Sequence, residues 1–334
     1  MRMSIGVWWV AACAACVMAL DAGAAAREPI IDMHLHAMPA DAEGPVGMKV
    51  CAPLGRLPAW DQRKPYGEVF GPSVSSTCES PLRGAPTDDR VMLDTIAVMK
   101  RLNIRGLLGG TPERVATWMA AAPDRFFQSY EFDPAKGPFE PDKLRALHSE
   151  GRLYAIAEIV NQYAGIAPDD PKMAPVWKLA EEIDIPVGVH VGPGPPGVTY
   201  LGAQYRAKLS SALTLEDVLV KHPKLRLFVM HAGYPFADDT IALLYAHPQV
   251  HVEVGVINWT SPRVEFHQFL KRLVDAGFID RIMFGSDQMV WPGAIEIAVK
   301  SIEEAPFLDQ AQKRAILHDN AARFLRLDAK GQPH

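Results

Sequence analysis

Residues 29–40, "PIIDMHLHAMPA", set two histidines one residue apart at the end of an apolar run. Strict alternation along a strand turns Ile31, Met33 and Leu35 to one face and Asp32, His34 and His36 to the other. A buried-type strand with two imidazoles on one side is either an ordinary polar strand end or half of a metal site. One His-x-His decides neither, so the other ligands must come from elsewhere in the chain.

Working outward, apolar β-type runs recur at 30–35, 104–109, 126–132, 153–159, 186–191, 225–230, 250–256 and 281–286. Runs such as "IPVGV" and "LRLFVM" are nearly continuous, as parallel strands covered by helices require. Amphipathic stretches such as "DRVMLDTIAVMKRL" and "RVEFHQFLKRLVDAG" lie between them, and Thr87 and Thr214 occupy N-cap positions. Eight β/α alternations predict an α/β fold, a (β/α)8 TIM barrel with a long insertion after strand 1. An open doubly wound sheet competes, but the glycine-rich first turn it needs is missing.

The insertion, residues 37–86, is far longer than an ordinary connection and is rich in proline and glycine. Loops that follow strands stand over the mouth of a barrel, so this segment is expected to cap the site; a surface embellishment is the bland alternative.

The composition is 49% hydrophobic and 22% charged with a net charge of -5. No basic block or acidic tail is present, which argues against a nucleic-acid partner. The first 26 residues differ: Arg2, the apolar "VWWVAACAACVMAL" and the small residues "AGAAA" read as a secretory signal cleaved after Ala26. The expectation is an exported protein, periplasmic or secreted, without stable membrane insertion after cleavage. Residues 27–334 then form a single barrel domain, and homo-oligomerisation stays open. Cys13 and Cys16 leave with the signal, and Cys51 and Cys78, alone in an oxidising compartment, are expected to pair. Closing their loop stabilises by about 3.5 kcal/mol in the chain-entropy model; two unrelated thiols are the competing reading.

Other strand ends answer the question posed by the first. "LYAIAEI" ends near Glu158, "IPVGVH" in His190, "LRLFVMH" in His231 and "RIMFGSD" in Asp287. Any one of these is more often structural; five strands delivering imidazoles or carboxylates to one rim point to metal chemistry. His148, His222, His247, His251, His267, His318 and His334 fall in helices, after helices or at strand starts, and are read as structural or solvated.

The ordered set "IIDMHLH", "AIAEIVNQYAGIAPDDP", "IPVGVHVG", "HPKLRLFVMHAG", "RIMFGSD" and "ILHDNAARFL" resembles the amidohydrolase superfamily, more narrowly its amidohydrolase-related family 2 branch. The resemblance covers residues 28 to 327 or so. It implies that His34 and His36 hold one divalent metal, zinc first, together with Asp287. It implies that His190 and His231 hold a second ion or assist catalysis. Decarboxylases of the aminocarboxymuconate-semialdehyde type use one zinc, at positions like His34, His36, His190 and Asp287, with His231 as a catalytic group. Many members bridge two ions with a carbamylated lysine on strand 4. This chain has Glu158 there, either a bridge between two ions or a carboxylate beside a single one.

The implied chemistry is a metal-dependent hydrolase cleaving an amide, ester or lactone with activated water, Asp287 and His231 being catalytic. The branch also contains non-oxidative decarboxylases, the enzymatic alternative; a non-catalytic ligand-binding barrel is a third reading. Asp32 either orients a ligand imidazole or serves strand-end hydrogen bonding. Candidate substrate-binding residues are Tyr200, Tyr205 and Arg206 after strand 5, Asn258 and Trp259 after strand 7, and Trp291 after Asp287.

Overall fold

The computed structural model describes residues 27–57, 59–328 and 331; the expected signal segment lies outside them. Eight parallel strands form one sheet in chain order: β1 (Ile30–Ala37), β2 (Ile104–Gly110), β3 (Phe126–Phe132), β4 (Ala155–Ile159), β5 (Val187–His190), β6 (Leu227–Met230), β7 (His251–Glu253) and β8 (Ile282–Met283). The chain after β8 closes the sheet on β1. Met33 N–H donates to Phe284 O at 3.0 Å and Asp287 N–H to His34 O at 2.8 Å. The α/β barrel expected from the alternation is therefore the fold observed.

Two apolar layers follow from the strand pattern. Ile31, Met33, Leu107, Phe127, Ala155, Ala157, Phe228 and Met230 fill the barrel, with Phe324 and Leu325 packed among them. Leu35, Leu108, Ile156, Ile159, Val187 and Val189 face the surrounding helices. These layers correct the strict alternation expected for β1. Ile31 and Met33 lie in the inner layer, but Leu35 lies in the outer one. The cause is a bulge: Asp32 pairs with Gly106 and Leu35 with Leu108, so β1 spends three steps where β2 spends two. The extra residue leaves an unpaired N–H at His34, and the buried Asp32 Oδ1 accepts it at 3.0 Å while also accepting Ser286 N–H at 2.9 Å. Asp32 thus serves strand-end hydrogen bonding.

Thr87 caps the helix Asp88–Arg101 by accepting Arg90 N–H at 3.2 Å. Thr214 does not cap: it lies inside a 3-10 turn and its hydroxyl donates to Ser211 O at 2.8 Å, with the helix Glu216–Lys221 following that turn.

The insertion after β1 holds a two-stranded ribbon, Lys49–Val50 with Leu82–Arg83, and the helix Gly67–Ser75. Cys51 and Cys78 are joined as a disulfide. Its hydrogen bonds run to loops after three different strands. Tyr66 Oη donates to Pro196 O at 2.6 Å, Leu54 N–H to Thr260 O at 2.8 Å and Trp291 Nε1–H to Met48 O at 2.9 Å. Those loops surround the C-terminal mouth, so the insertion is anchored across it.

At the opposite end, the His251 ring packs on Phe324 with centroids 4.7 Å apart. Burial, helped by Arg281 and Arg323, pushes its pKa down to about 4. The folded value lies below the unfolded one, so the unfolded state binds more protons between them. Stability is lost as pH falls from about 6.5 towards 4, by at most about 1.4 kcal/mol per pH unit. In His251→Gln, the slope of stability against pH is expected to flatten across that window; an unchanged slope in denaturant titrations would remove this residue as its source.

Candidate metal centre

Four imidazoles and several carboxylates meet at the C-terminal rim. His34 and His36 come from β1, Glu158 from β4, His190 from β5, His231 from the end of β6 and Asp287 from the turn after β8; all are buried. A second bulge aims Glu158. Ile156 pairs with Val187 and Ile159 with Val189, so β4 also carries one extra residue. Ala157 stays in the inner layer, Ile156 and Ile159 stay outside, and Glu158 turns to the rim. His231 and Asp287 both hold left-handed backbone, with φ of 61° and 50°, the kind of local strain that persists where a site fixes it.

The outward ring nitrogens settle which atoms face the centre. His34 Nδ1 lies 3.2 Å from Glu253 Oε2, His36 Nδ1 2.6 Å from Glu131 Oε1 and His231 Nδ1 3.0 Å from Gly255 O. A carboxylate or carbonyl oxygen accepts, so in the neutral imidazole that a metal ligand must be, each Nδ1 carries the proton and each Nε2 keeps a lone pair. Those Nε2 atoms point inward. His34 Nε2 and His36 Nε2 stand 2.9 Å apart, with no proton available to join them in these tautomers. The buried Nε2 of His190 has no hydrogen-bond partner, while its Nδ1 lies 2.5 Å from Glu158 Oε1 and 3.0 Å from His231 Nε2. Facing lone pairs backed by carboxylates are what a cation requires.

Spacing fits as well. Two donors on one tetrahedral ion at 2.0–2.1 Å lie about 3.3 Å apart. Asp287 Oδ1 is 3.1 Å from His36 Nε2 and 3.7 Å from His34 Nε2. Glu158 presents its two oxygens to different groups. Oε1 faces His190 and, at 3.4 Å, His231; Oε2 is 3.7 Å from His34 Nε2 and 3.8 Å from His36 Nε2. Among the described residues, the groups able to hold an ion are His34–His36–Asp287, Glu158–His190–His231 and His34–His231–Glu253.

Electrostatics agree. Burial works against charge on every one of these groups, yet the neighbours prevail for most. Against burial, His34, His36 and His231 hold Asp287 down at about 2, and His190, His231 and His34 hold Glu158 well below the carboxylate range. Against burial again, Glu131 and Asp287 lift His36 to about 10, and Asp287, Glu158 and Glu253 lift His34 well above the usual imidazole value. Burial and the adjacent His231 push His190 down. The pocket demands positive charge, and a divalent ion meets that demand by displacing protons.

The residues expected to meet a substrate make the following contacts. Tyr205 is buried, its hydroxyl donating to Gly192 O at 2.8 Å and its ring centroid 5.7 Å from that of Tyr163. Arg206 spends its guanidinium on Gln204 O and Tyr205 O, both at 2.9 Å. Asn258 donates to Gly285 O and Trp259 to Ser286 O, each at 2.8 Å, and Trp291 ties down the insertion. Tyr200 is exposed, its ring 4.8 Å from Trp60. Of the histidines set aside, His148, His222 and His267 bond locally to Leu153 O, Glu181 and Ser301 O; His334 lies outside the described residues.

Sequence reasoning missed Glu131 and Glu253, although both stand at the C-terminal ends of strands, the position that singled out Glu158 and His190. Gln288 holds the end of β1: its amide oxygen accepts His36 N–H at 3.1 Å and its amide nitrogen donates to His36 O at 2.7 Å. Tyr163, after β4, packs its ring 4.8 Å from that of His190. Burial, then Glu158 and Asp287, pushes its hydroxyl well above the ordinary range.

Comparison with known proteins adds a family. Among solved structures, a probable 2-pyrone-4,6-dicarboxylic acid hydrolase from Acinetobacter baumannii with citric acid bound is similar, at TM-score 0.55 and 15% identity over 89% of this chain and 99% of the other. An uncharacterised TIM-barrel protein from Bordetella bronchiseptica has TM-score 0.58 and 19% identity, over 90% and 99%. A 5-carboxyvanillate decarboxylase from Novosphingobium aromaticivorans complexed with manganese has TM-score 0.53 and 17% identity, over 70% and 79%. At these identities the likeness is one of fold. No curated protein matches the chain. The amidohydrolase family model matches residues 31–327, nearly the whole described barrel, and the chain belongs to that family.

Proposed function

We propose that this protein is an exported metal-dependent hydrolase that cleaves an amide, ester or lactone bond of a small molecule. The observation that carries the reading is Glu158, whose two oxygens face two separate groups of donors, with Asp287 beside one of them. In this reading His34, His36 and Asp287 would hold one divalent ion, and Glu158, His190 and His231 would hold a second. Zinc suits the mixed nitrogen and oxygen donors. When bound, the ions supply Lewis acidity and lower the pKa of water to about 7.

The chain's own residues do the rest. Asp287, held ionised by His34, His36 and His231, takes the proton of the attacking water and returns it to the leaving group. Glu253 and Glu131 keep the His34 and His36 rings in the tautomer that leaves Nε2 free, and Gly255 O does the same for His231. The anchored insertion keeps bulk water from the rim, which strengthens each of these interactions.

Metal-loaded protein is to be assayed on esters, lactones, amides and carboxylated aromatics. Hydrolysis products support the reading. CO2 release from a carboxylated aromatic would replace it with decarboxylation, an activity named for one of the fold neighbours. In Asp287→Asn, kcat is expected to fall by about 10²–10⁴-fold while bound metal changes far less; undiminished turnover would remove Asp287 from the chemistry.

A further inference from the structure

At the N-terminal ends of β2, β3 and β4, away from the metal rim, a cavity of about 390 Å³ opens between Arg105, Arg125, Tyr154, Phe127, Met119 and Pro123. Its place follows from chain order: Arg105 is the second residue of β2, Arg125 immediately precedes β3 and Tyr154 immediately precedes β4. Phe127 belongs to the inner layer of the barrel and Tyr154 packs against it, with ring centroids 6.0 Å apart. The Arg105 guanidinium lies over the Phe127 ring, 4.3 Å from its centroid. The volume is that of a small-molecule site.

Two guanidiniums share this space, and both keep donors to spare. Arg105 Nη1 donates to Gly331 O, and Arg125 Nη1 to Ile104 O at 3.4 Å. Among the described residues, neither Nη2 nor the Tyr154 hydroxyl makes a hydrogen bond. The Nε of each arginine is buried without one, a state in which folded proteins leave few polar atoms. A single carboxylate answers the two cations. Asp124 Oδ2 stands 3.1 Å from Arg125 Nε on a side chain that is 65% exposed, and no described carboxylate pairs with Arg105. Burial first, then Arg125, presses the Arg105 pKa down. Two guanidiniums against Asp124 leave one positive charge unanswered, beside an apolar wall.

We propose that this cavity is a second ligand site, for a small carboxylate carried on an aromatic or other flat apolar body. The carboxylate accepts from Nη2 of Arg105 and of Arg125, with the Tyr154 hydroxyl as a third donor. The body lies along Phe127, Met119 and Pro123. A monoanion matches the single excess charge, and the wall is apolar surface that an inorganic ion leaves uncovered. The ligand joins the starts of three strands, so its binding stabilises the folded barrel. None of this depends on the metal centre or on the hydrolase reading.

Calorimetry on the metal-loaded full chain tests it with 2-naphthoate and its uncharged amide, 2-naphthamide. The acid is expected to bind about tenfold or more tighter than the amide, and to raise Tm as its concentration rises. A metal also attracts carboxylates, so variants assign the binding. Arg105→Gln and Arg125→Gln are each expected to weaken it about tenfold or more with metal content unchanged, whereas His34→Ala is expected to keep it. Arg125→Gln carries the test alone if Arg105→Gln, which bares the Phe127 ring, does not fold. Equal affinity for acid and amide, or no binding of either, overturns the proposal. So does an affinity that Arg125→Gln leaves unchanged, which puts the acid elsewhere, on the metal if His34→Ala abolishes it. Inorganic phosphate that displaces 2-naphthoate at equal concentration would overturn the apolar part of the ligand.

Discussion

His34→Ala is expected to lose metal and activity together. His34 Nε2 lies 2.9 Å from His36 Nε2 and 3.7 Å from both Asp287 Oδ1 and Glu158 Oε2, so it touches both groups of donors. Its removal leaves Glu253 facing a void where an imidazole stood, and Asp287 Oδ1 and Glu158 Oε2 lose a donor that stands 3.7 Å from each. Loss of a partner behind a ligand weakens metal affinity by roughly 10–100-fold; loss of the ligand itself exceeds that. Metal per chain after gel filtration, measured beside turnover, checks the prediction. Glu253→Gln supplies the intermediate case, weaker in metal by roughly 10–100-fold, whereas His148→Ala, far from the rim, keeps both metal and activity. Full activity in His34→Ala would sink the site assignment.

How much of this was legible in the chain depends on what alternation can carry. The barrel was legible because continuous apolar strands and amphipathic helices repeat eight times, and buried strands tolerate little else. The rim was legible where a side chain of unusual chemistry ends an apolar run, as His190 and His231 do. The two bulges were not, because a bulge depends on pairing with a neighbour: Asp32 to Leu35 spans one step more than Gly106 to Leu108 only once β1 and β2 lie side by side. Without them, period-two alternation puts Leu35 with Ile31, and Glu158 with the outward Ile156. Glu131 and Glu253 were passed over because a glutamate in a strand reads as a solvated residue until an imidazole stands against it. Tyr205 and Arg206 after strand 5 drew attention by type, and the backbone carbonyls they bond to are brought near only by the folded loop.

Glu158→Gln distinguishes one ion from two. The substitution keeps size and both donor positions but removes the charge, and an amide nitrogen is no ligand for a divalent ion. If Glu158 joins two ions, wild-type protein binds about two equivalents. The variant then keeps about one, at His34, His36 and Asp287, because the other group is reduced to two neutral imidazoles. Heat stability gives an independent reading. Each bound ion stabilises the folded state by about 2.7 kcal/mol at a free concentration of 100 Kd, so the rise in Tm on adding metal should shrink by roughly half in the variant. Wild type that saturates at one equivalent, with neither stoichiometry nor Tm shift altered by Glu158→Gln, would make Glu158 a hydrogen-bonding partner of His190 and His231 alone. His231 would then be freed from metal binding to act on the substrate, the arrangement the single-ion decarboxylases lead one to expect. Oε2 sits almost equally far from His34 and His36, at 3.7 and 3.8 Å, a position that hydrogen bonding to His190 through Oε1 does not require.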